Sequence, residues 1–309
     1  MNVVATFGLG VRYGQSWAVR DCTLAIPEGH VVALVGSNGA GKTTLLHCAV
    51  GLSEATCGTI TLLGDLAPGS VDALDRVAFV AQDAPLYRHL SVAEMVEVAA
   101  NLNRSFDLPF ATARLRDLDI PGKRRIAKLS GGQQAQLALT LALARHPDLL
   151  ILDEPLARLD PVARHDVMAL VLTMAAEEGI SVIFSSHVVS ELERVADYLV
   201  LMARGRLQLT GPIDEILADH TVLAGPAEGA DHVAEQFGVV HVEEAARRVQ
   251  LLVRHDQSVD VPLGWEASPP SLDDLVLAYL RDPSLVGRPG PLAIAATRPD
   301  TTRAKGITR

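Results

Sequence analysis

The sequence has few cysteines and little positive charge for its length. Its three cysteines, Cys22, Cys48 and Cys57, are scattered over 309 residues without a Cys-x-x-Cys spacing. An odd, dispersed set does not form a disulfide framework, and it favours a reducing compartment. The formal net charge of −10 argues against a broad basic surface that would bind nucleic acid, so no nucleic-acid partner is expected.

Long apolar runs are also absent. The most apolar stretch, from Leu137 to Leu152, is interrupted by an arginine, a histidine, a proline and an aspartate at 145–148. It is too short and too broken to cross a bilayer. The first residues, MNVVATFGLGVRYG, lack the basic flank and apolar core of a signal peptide. Any role at a membrane is therefore expected to be peripheral.

Four runs of strand length carry most of the apolar character. These runs are VVALVG (31–36), RVAFVAQ (76–82), LLILDEP (149–155) and SVIFSSH (181–187), and each finishes on polar residues. Continuous apolar runs of this length are typical of buried parallel strands, whose carboxyl ends form ligand sites. Helical stretches such as 162–178 alternate with them, which predicts an α/β fold.

The remaining segments suggest additions to this core. Ser91 and Glu94 have capping-box spacing, so a helix is expected there, within a mostly helical insert at about 88–147. Residues 198–211 predict two strands that turn at Arg204-Gly205. Residues 213–286 predict a small α+β extension, and 287–309, rich in Pro, Thr and Arg, is expected to be disordered.

The motif GSNGAGKT matches G-x-x-x-x-G-K-[ST] and lies between a predicted strand and a predicted helix. Its glycines let backbone N–H groups curl around a β-phosphate. Lys42 can reach the β and γ oxygens, and the Thr43 hydroxyl can bind Mg²⁺. The expected nucleotide contacts here are Gly36, Ser37, Asn38, Gly39, Ala40, Gly41, Lys42, Thr43 and Thr44.

Polar residues at the ends of the other strands complete this site. Asp153 can hold Mg²⁺ through water, and Glu154 can polarise the attacking water. His187 can reach a γ-phosphate, while the amide of Gln82 suits a metal or water. An acidic pair at a strand end is often only a solvated turn, and a lone histidine usually only hydrogen-bonds locally, so these assignments depend on GSNGAGKT.

A second helix start, LSGGQ (129–133), also suits an anion. Unpaired N–H groups and the positive end of the helix dipole would meet a phosphate there. Because the helical insert separates Ser130, Gly131 and Gly132 from the chain's own GSNGAGKT loop, their phosphate would belong to a second molecule. The alternative is an ordinary serine N-cap.

Taken in order, GSNGAGKT, Gln82, LSGGQ, LLILDEP, Leu159-Asp160 and His187 resemble the nucleotide-binding subunit of an ABC transporter, over about 1–212. The resemblance implies a RecA-like P-loop NTPase core with an N-terminal antiparallel β subdomain. It implies Glu154 as general base, His187 as a γ-phosphate contact and Asp160 between two active sites. It also implies that LSGGQ (129–133) is the family's signature motif, which includes Gln133. Tyr13 would stack on adenine, with Trp17 as its rival.

The same resemblance implies partners and a location. Two chains, identical or similar, would pack head to tail around two ATP molecules with Mg²⁺. A separate membrane permease would meet the segment from Gln82 to His89, at the cytoplasmic face of the membrane. The family usually has basic residues after the signature, where this chain has Gln134, Ala135, Gln136 and Leu141.

Other ATPase classes share some of these motifs. A DNA-repair or chromosome ATPase would carry hundreds of coiled-coil residues between Lys42 and Leu129, and a ribosome-associated factor would have two cassettes. A regulatory ATPase without a transport role stays open as an alternative. The ending SLDDLVLAYL is similar to that of subunits paired with drug-exporting or polyketide-exporting permeases, so export is expected over import.

Overall fold

The computed structural model describes residues 1–83, 85–157, 159–189, 192–193, 195–245, 247–255 and 260–282. The strands are β1 (Asn2–Tyr13), β2 (Ser16–Pro27), β3 (Val31–Val35), β4 (Cys57–Leu62), β5 (Val77–Val80), β6 (Leu149–Asp153), β7 (Ser181–Ser186), β8 (Tyr198–Ala203), β9 (Arg206–Pro212), β10 (His220–Pro226), β11 (Gly238–Ala245), β12 (Arg248–Arg254) and β13 (Glu266–Ser268). The helices are α1 (Lys42–Ala49), α2 (Val71–Arg76), α3 (Val92–Leu102), α4 (Leu108–Asp117), α5 (Gly131–Leu143), α6 (Pro161–Glu178), α7 (Ile213–Ala218), α8 (Ala230–Ala234) and α9 (Leu272–Arg281), with a 3₁₀ turn at Ile126–Lys128.

The central layer is a six-stranded sheet in the order β5-β6-β7-β3-β8-β9. All neighbouring pairs are parallel except β8 and β9, which form the hairpin predicted to turn at Arg204-Gly205. The four predicted parallel strands are therefore confirmed. Since β3, β7 and β6 are adjacent and parallel, their carboxyl ends lie along one edge, and the polar residues that follow them come together there.

An antiparallel sheet, β2-β1-β4, covers one side of this layer. Its buried residues share one apolar cluster with α1, including Val11 and Val19 of the sheet and Leu45 and Leu46 of α1. The antiparallel β subdomain implied by the family resemblance is thus present. Because α1 is held between two sheets, the loop before it is anchored on both sides.

The segment predicted as a helical insert contains α3, α4, α5 and the 3₁₀ turn. Ser91 starts α3 with the predicted capping box, since its Oγ accepts from the Glu94 N–H at 3.2 Å and its own N–H donates to Glu94 Oε2 at 2.7 Å. The helices have a small core of their own, built on residues such as Ile126 and Leu137. The α5 helix thereby holds its N-terminus on the insert.

The described residues after Pro212 contain a second antiparallel sheet, β11-β12-β10-β13, with helices α7, α8 and α9. The predicted α+β content is confirmed. Helix α9 packs against β11 of this extension, and the Tyr279 hydroxyl lies 2.9 Å from His220 Nε2 on β10. Leu275 and Val276 belong to a continuous buried cluster that includes Val240 and Leu252 of the extension as well as residues of the central sheet. Residues 283–309, with the tail predicted to be disordered, lie outside the described residues. Among the described helices, none combines the length and the hydropathy needed to cross a membrane.

Candidate functional site

The loop 36–41 carries the chain from β3 into α1. Gly41, at the helix N-cap, has φ of 102°, and no side chain caps the helix there. A Cβ on Gly36 would collide with the carbonyl oxygen of Met202, and one on Gly41 with that of Ala18. Glycine is therefore required at both positions, and the first N–H groups of α1 have no side-chain acceptor among the described residues.

Lys42 lies inside this loop and not on its surface. Its residue is 5% exposed, and Nζ donates to the carbonyl oxygens of Gly36 at 2.7 Å and Ser37 at 3.4 Å. Burial lowers the pKa of the ammonium, while the nearby Glu154 and Asp153 carboxylates act in the opposite direction. The Lys42 charge is thus held where the backbone N–H groups would receive a phosphate.

Glu154 joins the predicted site residues to one another. Its Oε1 lies 3.8 Å from Lys42 Nζ and 3.4 Å from His187 Nδ1, and its Oε2 accepts from Gln82 Nε2 at 3.2 Å. These partners come from the ends of β3, β7 and β5, as the parallel topology requires. The structure therefore brings together Lys42, Gln82, Glu154 and His187.

The predicted Mg²⁺ ligands are all oxygen donors. Asp153 is 1% exposed and is the last residue of β6, while the Thr43 side chain is exposed in the first turn of α1. Gln82 donates through its amide nitrogen, which leaves its oxygen as an acceptor. The described residues contain no group of three His, Cys, Asp or Glu side chains that could hold a metal unaided. One carboxylate beside a phosphate loop is nevertheless the donor set that Mg²⁺ takes with a nucleotide, so the residues fit.

One buried contact to the acidic pair was missed at the level of sequence. Ser185, on β7, lies against Asp153 and Glu154, whereas only His187 was singled out from SVIFSSH. Two consecutive serines at the carboxyl end of an otherwise apolar strand were the available signal. Pairing of 181–186 with 149–153 could not be deduced from spacing, because these strands are separated by the whole of α6.

The signature start is confirmed as a helix N-terminus. Ser130 Oγ accepts from the Gln133 N–H at 3.1 Å, and Gln133 Oε1 accepts from the Ser130 N–H at 3.2 Å. Ser130 is therefore the ordinary N-cap that the alternative interpretation required. The capping box uses the N–H groups of Ser130 and Gln133, while those of Gly131 and Gly132, in the first turn, have no intrahelical acceptor.

Asp160 also acts as a helix cap. Its Oδ1 accepts from the N–H groups of Val162 and Ala163, both at 3.0 Å, at the start of α6. The residue is exposed. In the part of the chain that the structure describes, no hydrogen bond or ion pair links Asp160 or the signature residues to the P-loop.

The two candidate aromatics lie at the hairpin between β1 and β2. The Trp17 ring covers Gly10, close to Cys57, and the Arg12 guanidinium carbon lies 5.7 Å from the ring centroid. Tyr13 is 57% exposed and follows Val11, a core residue on the α1 side, by two positions. The contacts with Gly10 and Arg12 explain the position of the Trp17 ring, whereas the Tyr13 side chain is the more exposed of the two.

Two of the residues after the LSGGQ signature that differ from the family pattern, Gln136 and Leu141, are buried on α5. Gln136 is 6% exposed, and its Oε1 accepts from an Arg114 terminal nitrogen at 3.1 Å. Arg114 belongs to α4, and burial lowers the pKa of its guanidinium. A guanidinium therefore reaches this part of α5 from another helix. Leu141 is buried in the core of the insert.

The family model described as "ABC transporter" matches residues 19–157. The chain is 36% identical over 219 residues to "Molybdenum import ATP-binding protein ModC" of Aromatoleum aromaticum, covering 67% of this chain and 58% of that protein. It is 34% identical over 242 residues to "Fe(3+) ions import ATP-binding protein FbpC 2" of Rhodococcus jostii, covering 72% and 69%.

A solved structure of similar fold is described as "Structure of ATP binding subunit of ABC transporter". It has 27% identity and a TM-score of 0.64, and the match covers 70% of this chain and 92% of that one. The chain spans less than two thirds of several curated relatives, including 61% of a sulfate/thiosulfate import ATP-binding protein CysA of Bacillus cereus at 35% identity. These matches establish the ABC ATPase fold of the cassette.

Proposed function

Because the chain belongs to the ABC transporter family of ATP-binding proteins, we propose that it binds and hydrolyses ATP to drive a separate membrane permease. The observation that carries the proposal is the position of Glu154, in contact with Lys42, Gln82 and His187 behind a glycine loop. A carboxylate so placed can take a proton from water while a buried cation and backbone N–H groups hold phosphates.

Each residue then has a distinct role. Lys42 neutralises charge on the β and γ phosphates, and Glu154 accepts the proton of the attacking water. His187 contacts the γ-phosphate, and Tyr13 stacks on the adenine. Thr43, Asp153 and Gln82 hold the metal side of the nucleotide. Bound Mg²⁺ supplies neutralisation of the charge that develops on the phosphates.

Ser130, Gly131, Gly132 and Gln133 complete a site on a second copy of the chain or on a similar ATPase. The exposed start of α5 supports this arrangement, because its free N–H groups have no acceptor within the described chain. Asp160 would lie between the two sites. The proposed assembly is thus a head-to-tail dimer with two ATP molecules at its interface.

The permease partner would bind along the segment from Gln82 to His89. Tyr87, Arg88 and His89 are exposed, and the Arg88 carbonyl accepts from the Ala127 N–H at 3.0 Å, which fixes the segment against the loop before the signature. A cavity of about 800 Å³ lies between α3 and α4 of the insert, lined largely by apolar side chains such as Val92, Val96 and Leu115. With the permease bound there, the subunit would lie peripherally, at the cytoplasmic face of the membrane.

Export has no support from the relatives. Those cited here are named for import of molybdenum, Fe(3+) ions or sulfate/thiosulfate. The SLDDLVLAYL motif, on which export rested, forms α9, and its apolar residues are explained by packing against β11 within a buried cluster that the extension shares with the central sheet. Direction is a property of the permease, and the ATPase role proposed here holds for either.

The test is ATP binding and hydrolysis by the purified chain with Mg²⁺. Lys42→Ala removes the cation in the loop, and we expect at least a tenfold loss of ATP affinity or of turnover, because charged hydrogen bonds contribute about 1.5–3 kcal/mol. Lys123→Ala, which removes an exposed lysine outside the site, is the matched control. Equal binding and turnover in both variants and the wild type would refute the P-loop assignment.

A further inference from the structure

Ser185 occupies an unusual place at the end of β7. It is 1% exposed, and its Oγ lies 2.5 Å from Asp153 Oδ1 and 2.9 Å from the Glu154 backbone nitrogen. A hydroxyl has one proton to donate. The Ser185 O–H therefore donates to the Asp153 carboxylate, and its oxygen accepts the Glu154 N–H.

The backbone explains why Glu154 needs this acceptor. The β6–β7 ladder ends with Asp153 opposite Ser185, and Glu154 then turns into the left-handed region with φ of 46°. The Glu154 N–H therefore lies beyond the last backbone pairing of β6 with β7, where the neighbouring residues are buried. An amide at such a place requires a partner, because an orphaned buried N–H is costly. The Ser185 hydroxyl oxygen supplies the acceptor for the Glu154 N–H in place of a backbone carbonyl of the strand.

We propose that Ser185 is a positioning residue for ATP hydrolysis. Through one hydroxyl it orients the Asp153 carboxylate, which holds the metal side of the nucleotide, and the backbone of Glu154, which accepts the proton of water. This inference rests on the proposed ATPase function. Groups that orient metal ligands commonly change metal affinity or activity by about 10–100-fold when removed.

The competing explanation is that Ser185 only closes the end of a buried strand. Ser181 provides the matched control, since it lies at the opposite end of β7, is 2% exposed, and accepts the Gly29 N–H through its Oγ at 2.8 Å. Ser181→Ala removes the same hydroxyl from the same strand and also breaks a hydrogen bond to a backbone amide, but among the described residues the Ser181 Oγ makes no hydrogen bond to an acidic side chain.

The experiment compares Ser185→Ala and Ser181→Ala with the wild-type chain. We expect Ser185→Ala to lower kcat about 10–100-fold with the KM for ATP within about threefold. Binding of ATP in EDTA, measured by calorimetry, should stay unchanged, while the gain in affinity on adding Mg²⁺ shrinks. Ser181→Ala should keep wild-type values of all three quantities.

Two results would overturn the proposal. In the first, both variants keep the wild-type kcat and the wild-type gain in ATP affinity on adding Mg²⁺. In the second, both variants lose these to the same extent. If Ser185→Ala does not fold, Ser185→Cys, which keeps the volume but donates weakly, is measured instead and should show the same split. Absence of hydrolysis by the wild-type chain would count against the proposed function, and intact wild-type hydrolysis with an unaffected Ser185→Ala would count against Ser185 alone.

Discussion

Two helix N-termini in this chain are suited to phosphate, and they are built in opposite ways. At α1 the N-cap is Gly41 and no side chain caps the helix, whereas at α5 Ser130 and Gln133 cap it reciprocally. The first start is surrounded by Lys42, Glu154 and other polar residues from three strands. The second is exposed and has no such neighbours among the described residues.

The difference shows how much of each site one chain provides. The α1 start has a buried cation, an acid and free N–H groups, which together could bind and hydrolyse a nucleotide. The α5 start has only the N–H groups of Gly131 and Gly132 and the dipole of a 13-residue helix. These donors form only part of a phosphate site, which would be completed by a second surface that binds the nucleotide.

Replacing Glu154 is expected to give the largest effect. Glu154→Gln should retain ATP binding and lose about 10²–10⁴-fold in turnover, because an amide cannot accept the proton of water. With ATP, the variant should change from monomer to dimer on a sizing column. Glu215→Gln, on the exposed face of α7, is the control. Hydrolysis at the wild-type rate by Glu154→Gln would remove Glu154 from the role of base.

A smaller effect is expected at the hairpin next to α1. Tyr13→Ala should weaken ATP binding about tenfold, since stacking on a base contributes about 1–3 kcal/mol, and selectivity among bases should stay loose. Trp17→Ala should instead lower stability, because the ring packs over Gly10 and against Arg12. Calorimetric titration and thermal unfolding of both variants measure this. Weaker binding by Trp17→Ala alone would mean that Trp17 is the stacking residue.

The smallest effect concerns the attachment of the insert to the core. His146, between α5 and β6, contacts Glu178 Oε2 at 2.9 Å through Nδ1 and Asp107 Oδ2 at 3.3 Å through Nε2. The hydrogen bond to Glu178, followed by that to Asp107, raises the pKa of His146 above its usual value, against the effect of burial. The charged imidazolium is therefore the form that joins the N-terminus of α4 to the C-terminus of α6.

A raised histidine pKa stabilises the fold fully below the unfolded value, about 6.5, and this contribution is lost as pH rises through the folded value. His146→Gln should flatten that dependence by less than about 1 kcal/mol, because the ring is 44% exposed and solvent screens the pair. Denaturant unfolding between pH 5 and 8 measures it, with the exposed His232→Gln as control. Identical pH curves for the His146 and His232 variants would contradict this account.

The sequence allowed the α1 site to be predicted more completely than the α5 site. Apolar runs such as VVALVG and LLILDEP end in polar residues, so parallel pairing alone brought Lys42, Glu154 and His187 together. Which hydroxyl would face Asp153 depended on the register between β6 and β7, which spacing does not show. The packing of α9 against β11 could not be predicted for a similar reason, because an amphipathic pattern does not specify the surface that it packs against.

The central claim, that the α5 start serves a phosphate on another chain, is tested most directly with mixed dimers. Ser130→Arg should block a site by clash and loss of N–H donation, and Lys42→Ala should disable the P-loop. Ser91→Arg, which breaks the matching capping box of α3, controls for the loss of a helix cap. A heterodimer of the Ser130→Arg and Lys42→Ala chains contains one intact composite site if the signature acts on the partner's nucleotide, and none if it acts within its own chain. The account predicts tightly bound ATP and residual hydrolysis in this heterodimer, with no hydrolysis in either mutant homodimer. A heterodimer that binds no ATP tightly, while the Ser91→Arg dimer binds it normally, would contradict the head-to-tail site and leave LSGGQ as a helix cap.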